Sequence, residues 1–201
     1  MLDAAARRLV DPPLARCAAV LDRAGIGANA ITLAGFAIGL LGAAALALQS
    51  HGTALLLILA NRVMDGLDGA VARRGEPSDL GGYLDILCDF IFYNAVVFGV
   101  ALGRPDHAVA AAFLMLSFTG TGTSFLAFAV LAAKRGITTA ARGRKSLYYL
   151  GGLTEGTETI LLFVAICLVP DAFPWMAWVF GALCWATTAG RVAAAIRLLP
   201  N

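Results

Sequence analysis

Four aspartates within 25 positions of a very apolar chain, Asp65, Asp68, Asp85 and Asp89, are the residues best placed to do chemistry together. On helices, Asp65 and Asp68 stand three apart and share a face, while Asp85 and Asp89, four apart, share another. Only the ten residues from Arg73 to Gly82 connect the two segments. The two helices are therefore expected to be antiparallel neighbours whose acidic faces can meet. Four carboxylates in one small volume repel one another unless cations neutralise them, and an all-oxygen donor set suits Mg2+ or Mn2+ rather than zinc. Two such ions about 4 Å apart would clamp a diphosphate and stabilise both the attacking and the leaving oxygen of an in-line displacement. Gly66, Gly69, Gly81 and Gly82 remove side chains beside the acids and would let a bulky ligand approach the backbone. Ion pairing with Arg62, Arg73 and Arg74 is the purely structural alternative. It is disfavoured because those arginines are expected at the helix ends while Asp85 and Asp89 lie deeper.

The elements that must position these acids are membrane helices. Of 201 residues 60% are hydrophobic and 14% charged, with a mean hydropathy of +0.80. That composition excludes a disordered chain and an ordinary soluble domain. The formal net charge of +2 is too small to indicate nucleic-acid binding. Cys17, Cys88, Cys167 and Cys184 show no metal or redox spacing and read as small hydrophobes. Windows of about 20 apolar residues predict an all-α integral membrane protein with six spans, at roughly 30–49, 53–72, 82–103, 108–133, 150–169 and 174–196. No repeat or long linker divides the chain, so residues 1–201 read as a single domain. The juxtamembrane segment 1–27 mixes leucines and arginines at helical spacing, interrupted by Pro12-Pro13. It suits an amphipathic helix lying in the headgroup layer, with packing on the bundle as the alternative. The first apolar run of the chain begins near residue 30, later than expected of a removable signal peptide. Arginines and lysines gather before span one, after span two, between spans four and five and at the end of span six, whereas the opposite loops hold only Arg104. By the positive-inside rule both termini, and with them the acidic edge, face the cytoplasm.

The run Asp65-x-x-Asp68-Gly69-x-x-Ala72-Arg73, followed by Gly81-x-x-x-Asp85-x-x-x-Asp89, resembles the signature of the CDP-alcohol phosphotransferase family, with every fixed position filled. The resemblance implies that Asp65, Asp68 and Asp85 are the main metal ligands. Asp89 would complete the site and act as general base on the acceptor hydroxyl. Gly69, Ala72 and Arg73 would belong to the cytidine-diphosphate pocket, with Arg73 on the phosphates. The activity it implies is transfer of a phosphatidyl group from CDP-diacylglycerol to a small polar alcohol, releasing CMP, with two Mg2+ or Mn2+ ions in a homodimer. The stretch from Lys145 to Thr159 also resembles a bacterial inner-membrane subgroup, which places the chain in that membrane. Asn29 and Thr32 correspond to the family's entry to span one, but helix capping explains them equally well and Ala28 replaces the usual proline. Transfer of a phospho-alcohol from a soluble CDP-alcohol to a lipid hydroxyl is the alternative within the same chemistry. An ion-coupled transporter is the alternative of another class, disfavoured because no inverted repeat is visible and the acids cluster at one edge.

The acceptor site is less defined. Lys134, Arg142, Arg144, Lys145 and Arg191 could converge on a phosphorylated acceptor such as glycerol phosphate or inositol phosphate, though ordinary positive-inside loops explain them as well. Glu155 and Glu158, early in span five, could bind acceptor hydroxyls or an amine, or pair with a nearby arginine. His51 and His107 are expected at the outer surface.

Overall fold

The computed structural model describes residues 2–75, 78–136 and 152–199, with side chains from residue 13 onward. Among these are seven α-helices: α1 (Leu2–Arg23), α2 (Ala28–Ala47), α3 (His51–Ala72), α4 (Asp79–Gly103), α5 (Ala108–Lys134), α6 (Gly156–Leu168) and α7 (Phe173–Leu198). No strand occurs among the described residues.

The helices α2, α4, α5 (with the turn before it) and α7 (with the turn before it) are each long and apolar enough to cross a membrane. Six spans were expected, and among the described residues these four helices meet the requirement, while α3 and α6, which overlap the other two predicted spans, depart from the expectation. Although 22 residues long, α3 carries Arg62, Asp65 and Asp68 in its second half, which lowers its hydropathy. With 13 residues, α6 is shorter than the predicted 150–169, because Glu155 caps its start. Large side chains cover the outside of the bundle, with Leu56 70%, Val109 73% and Trp175 73% exposed. A soluble protein would not leave so many uncovered, whereas acyl chains solvate them.

Close backbone approach sets the packing around α2. A Cβ on Gly103 of α4 would lie 2.6 Å from the Leu46 carbonyl oxygen, and one on Gly99 would clash with the Ala43 carbonyl. On the other side, Gly35 lets α3 approach, since a Cβ there would lie 2.7 Å from Met64 Cβ. Small residues at such positions are how membrane helices come close enough to gain dispersion energy. The continuous core runs through Ile58, Phe92, Val96, Leu114, Phe163 and Phe173.

Pro12-Pro13, expected to interrupt the segment, lie within the continuous α1, although neither can donate the backbone bond a helix interior normally makes there. Its residues Leu14, Ala18 and Leu21 pack on Met64, Leu67, Ala70 and Val71 of α3, and Asp22 pairs with Arg74 at 3.1 Å. At the C-terminal end of α4, Arg104 pairs with Asp106 at 3.4 Å and Asp171 at 2.9 Å, joining the α4–α5 and α6–α7 turns. His107, expected at the surface, is buried and stacked on Phe173 at 5.7 Å. The short turn led by Pro105 folds its ring inward.

Candidate active site

The acids are positioned by the stripes on which they ride. On α3, Ile58, Asn61, Asp65 and Asp68 recur at three- and four-residue steps; on α4, Asp85, Cys88, Asp89 and Phe92 do the same. Ile58 and Phe92 are fully buried and fix which face of each helix turns inward. The carboxylates follow one or two turns nearer the helix ends. Ser78 starts α4 by accepting from the Gly81 amide at 3.0 Å, with Asp79 in the first turn. That cap sets the register that places Asp85 beside α3.

Asp65, Asp68 and Asp85 each bring a carboxylate oxygen within 4.8 Å of the others. Asp68 is buried and Asp85 exposed. The three therefore close a cluster from its inner to its outer side. Hard, anionic oxygens at this spacing fit a magnesium or manganese ion and do not fit a soft metal. Thr32 of α2 donates from Oγ1 to Asp68 Oδ2 at 2.6 Å. A charge-assisted bond of this length holds one oxygen of Asp68 and leaves the other for a ligand role. Helix α2 starts at Gly27 with no side-chain cap, so Thr32 is a site residue, not a cap. Sequence reasoning had left it undecided. Asn29 lies nearby, its Oδ1 3.1 Å from where a Cβ on Gly81 would stand.

The fourth aspartate lines the same pocket and is held by an arginine. Asp89 Oδ1 accepts from Arg62 Nη2 at 2.8 Å, and Arg62 Nη1 lies 3.7 Å from Asp65 Oδ2. The expectation that the arginines keep to the helix ends is corrected here. Arg62 precedes Asp65 by nearly one turn of α3 and so lies further inward, level with Asp89 on the antiparallel α4. It joins the acids at the floor of one pocket, with Thr32, Phe36, Asn61 and Cys88 completing the lining.

One of the glycines beside the acids, Gly66, has a task other than ligand approach. A Cβ on Gly66 would lie 2.6 Å from Leu14 Cδ1, so Gly66 makes room for α1. A Cβ on Gly69 would lie 3.3 Å from Arg73 Nη1, which shows the exposed Arg73 guanidinium folded back over Gly69 toward the Asp68 end of the cluster. Nothing stands near Gly82, which leaves that approach open.

Among the described residues, the predicted acceptor residues are spread over α5, α6 and α7, with Arg191 near the start of α6, its Nη2 3.4 Å from where a Cβ on Gly152 would stand. Lys134 is exposed at the end of α5. Arg191 is buried, donates to the Thr121 carbonyl at 2.8 Å and lies over Phe125 at 5.5 Å. Arg142, Arg144 and Lys145 lie outside the described residues. Glu155 and Glu158 form a reciprocal cap on α6: Glu155 Oε1 also accepts from the Gly152 amide at 3.2 Å, and Glu158 Oε2 accepts from the Glu155 amide at 3.1 Å. This reciprocal cap is a local task of both carboxylates at the helix start.

Comparison with known proteins gives a consistent result. A profile of the CDP-alcohol phosphatidyltransferase family matches residues 26–190. Inner membrane protein YnjF of Escherichia coli is 55% identical over 193 residues, which is 96% of this chain and 94% of the relative. Archaetidylinositol phosphate synthase of Pyrococcus horikoshii is 38% identical over 98 residues, 48% of this chain and 52% of the relative. Among solved structures, phosphatidylinositol phosphate synthase of Mycobacterium tuberculosis with CDP-DAG bound superposes with a TM-score of 0.73 at 20% identity, covering 91% of this chain and 93% of that one. The same enzyme in complex with manganese and citrate gives 0.71 at 22% identity, covering 90% and 87%. At such identity these two likenesses establish the fold.

Proposed function

The chain belongs to the CDP-alcohol phosphatidyltransferase family and is a phosphotransferase; on that premise we propose that it transfers the phosphatidyl group of CDP-diacylglycerol to a small polar alcohol, releasing CMP. The observation that carries this reading is the meeting of Asp65, Asp68 and Asp85 within 4.8 Å, with Asp89 one turn further along α4. Asp65, Asp68 and Asp85 are the residues that would chiefly hold a divalent ion, with Asp89 completing the site. Bound there, the ion would supply positive charge to the pyrophosphate oxygens as charge develops in the transition state. Thr32 keeps Asp68 oriented for that task. Arg73, lying over Gly69, offers a planar fork to phosphate oxygens, and Gly69 and Ala72 border the cytidine end. The free oxygen of Asp89 accepts the proton of the acceptor hydroxyl. That hydroxyl then attacks the phosphorus next to the diacylglycerol while the bond to CMP breaks.

A phosphorylated polyol, glycerol phosphate or inositol phosphate, is the acceptor we favour. Support comes from the basic residues Lys134, Arg144, Lys145 and Arg191 at the ends of α5 to α7 and between them, and from the named activity of the archaeal relative. The inner-membrane name of the bacterial relative supports the same location for this chain. The arginine and lysine distribution supports a cytoplasmic active site and cytoplasmic termini, and a homodimer is the assembly the family resemblance implies. The test is to incubate purified protein with CDP-diacylglycerol, Mg2+ or Mn2+ and a panel of free and phosphorylated polyols, then measure CMP and identify the lipid by mass spectrometry. CMP released only with an acceptor, together with a new phospholipid, is expected. No CMP with any acceptor would refute the reading.

A further inference from the structure

The start of α6 is unusual for a membrane helix both in where it stands and in what holds it. Its 13 residues reach about 20 Å, short of the roughly 30 Å of a hydrocarbon core. A Cβ on Gly156, its first residue, would lie 3.6 Å from the Tyr93 hydroxyl of α4. Tyr93 is one turn beyond Asp89. Helical side chains lean toward the N-terminus of their helix, so that hydroxyl comes back toward the level of Asp89. Residues 152–155 lead to this point as non-helical backbone. Such backbone is tolerated within a membrane bundle only where protein groups satisfy its amides or a water-filled cavity lies against it.

Side-chain oxygens accept from all four of these amides. Glu155 Oε1 takes that of Gly152 at 3.2 Å and Glu158 Oε2 that of Glu155 at 3.1 Å, both from the start of α6 itself. Thr187 Oγ1 of α7 takes those of Leu153 at 3.1 Å and Thr154 at 3.2 Å. With both lone pairs occupied, the Thr187 proton goes to Thr154 Oγ1 at 3.1 Å. Thr187 is 3% exposed and Thr154 8%, so water does not replace these bonds. One hydroxyl thus ties the segment to α7. Gly152 lets the tie form, since a Cβ there would overlap Thr187 Cγ2. Arg191, assigned above to the acceptor, follows Thr187 by one turn of α7.

We propose that Thr187 is a positioning residue for the acceptor half of the reaction: by holding residues 152–154 against α7 it fixes the start of α6 beside the acid site, on the side where Arg191 meets the acceptor. The proposal rests on the transferase reading. Losing the hydroxyl leaves two buried amide donors unmet, and the segment must shift to find other acceptors. That shift moves the wall beside the acceptor and leaves the metal and CDP side, built on α3 and α4, in place.

The test assays CMP release from CDP-diacylglycerol with Mn2+, titrating glycerol phosphate, inositol phosphate, glycerol and inositol as acceptors, and reads Mn2+ affinity by electron paramagnetic resonance. For Thr187→Val we expect the acceptor KM to rise at least about tenfold, with KM for the CDP-lipid and Mn2+ affinity changed little. Thr187→Ser keeps the oxygen and stays near wild type. Gly152→Ala raises the acceptor KM as well, because its Cβ meets Thr187 Cγ2. Combining it with Thr187→Ser removes that methyl and restores the acceptor KM; this pair decides alone if Thr187→Val does not fold. A purely structural role would move both KM values and Mn2+ affinity together. That pattern overturns the proposal, as does an unchanged acceptor KM in Thr187→Val or a double variant no better than Gly152→Ala. A wild type that releases CMP with none of the four acceptors overturns the transferase reading and the proposal with it, whereas an active wild type whose variants show no split overturns the proposal alone.

Discussion

A single hydroxyl, that of Thr32, bonds the most buried of the clustered carboxylates, and the account assigns it an energetic share. Its 2.6 Å bond to Asp68 is charge-assisted, a class worth about 1.5–3 kcal/mol. Thr32→Val should therefore weaken Mn2+ binding by roughly tenfold or more, and Thr32→Ser, which keeps the hydroxyl, should restore most of it; isothermal titration checks both. At Asp89 the expectation differs. Asp89→Asn removes the proton acceptor and leaves the three main ligands in place, so turnover should fall by about 10²–10⁴ while most of the Mn2+ affinity is retained. Parallel loss of Mn2+ binding would make Asp89 a main ligand instead of the base. The acids were legible in the sequence because i, i+3 and i, i+4 spacing survives folding intact. The partner of Arg62 was not, because it lies 27 residues away on another helix. Only the crossing of α3 and α4 decides that Arg62 meets Asp89 and not solvent.

At the scale of elements, the site depends on how near α2 lies to α3 and α4. Gly99 sits against the Ala43 carbonyl, and any side chain there must push α4 outward. Gly99→Val should cost about 1–3 kcal/mol, seen as a lower midpoint of thermal unfolding in detergent, and should loosen the acid cluster with it. The start of α6 gives a second prediction. Glu155 serves as its cap, so Glu155→Ser, a good capping residue, should keep stability and turnover near wild type, whereas Glu155→Leu should cost about 1 kcal/mol. A collapse of turnover in Glu155→Ser with stability unchanged would assign Glu155 to the acceptor instead. Hydropathy located α2, α4, α5 and α7 because each is long and apolar throughout. It overestimated the length of α6 because an apolar window extends smoothly across a cap that only the hydrogen bonds reveal. The stripe of α1 was legible as amphipathic. That Leu14 would lodge beside Gly66 was not, since either a headgroup layer or a helix can satisfy the same stripe.

For the whole molecule, the account requires α1 and the acid cluster on one side of the membrane, the cytoplasmic one. Cys17 on α1 is exposed while Cys88, Cys167 and Cys184 are buried, which makes the wild-type chain its own reporter. An impermeant maleimide should label Cys17 in inside-out vesicles and leave it unlabelled in right-side-out ones. The reverse pattern would put the site on the wrong side of the membrane for a cytidine nucleotide. The central claim is narrower: two neighbouring helices bring carboxylates together so that divalent ions and a pyrophosphate bind as one unit. The most direct measurement is the affinity of the purified protein for CDP with Mn2+ and with excess chelator, in wild type and Asp68→Asn. The account predicts that Mn2+ tightens CDP binding at least about tenfold and that chelator and Asp68→Asn each remove that gain. CDP affinity indifferent to both would contradict it.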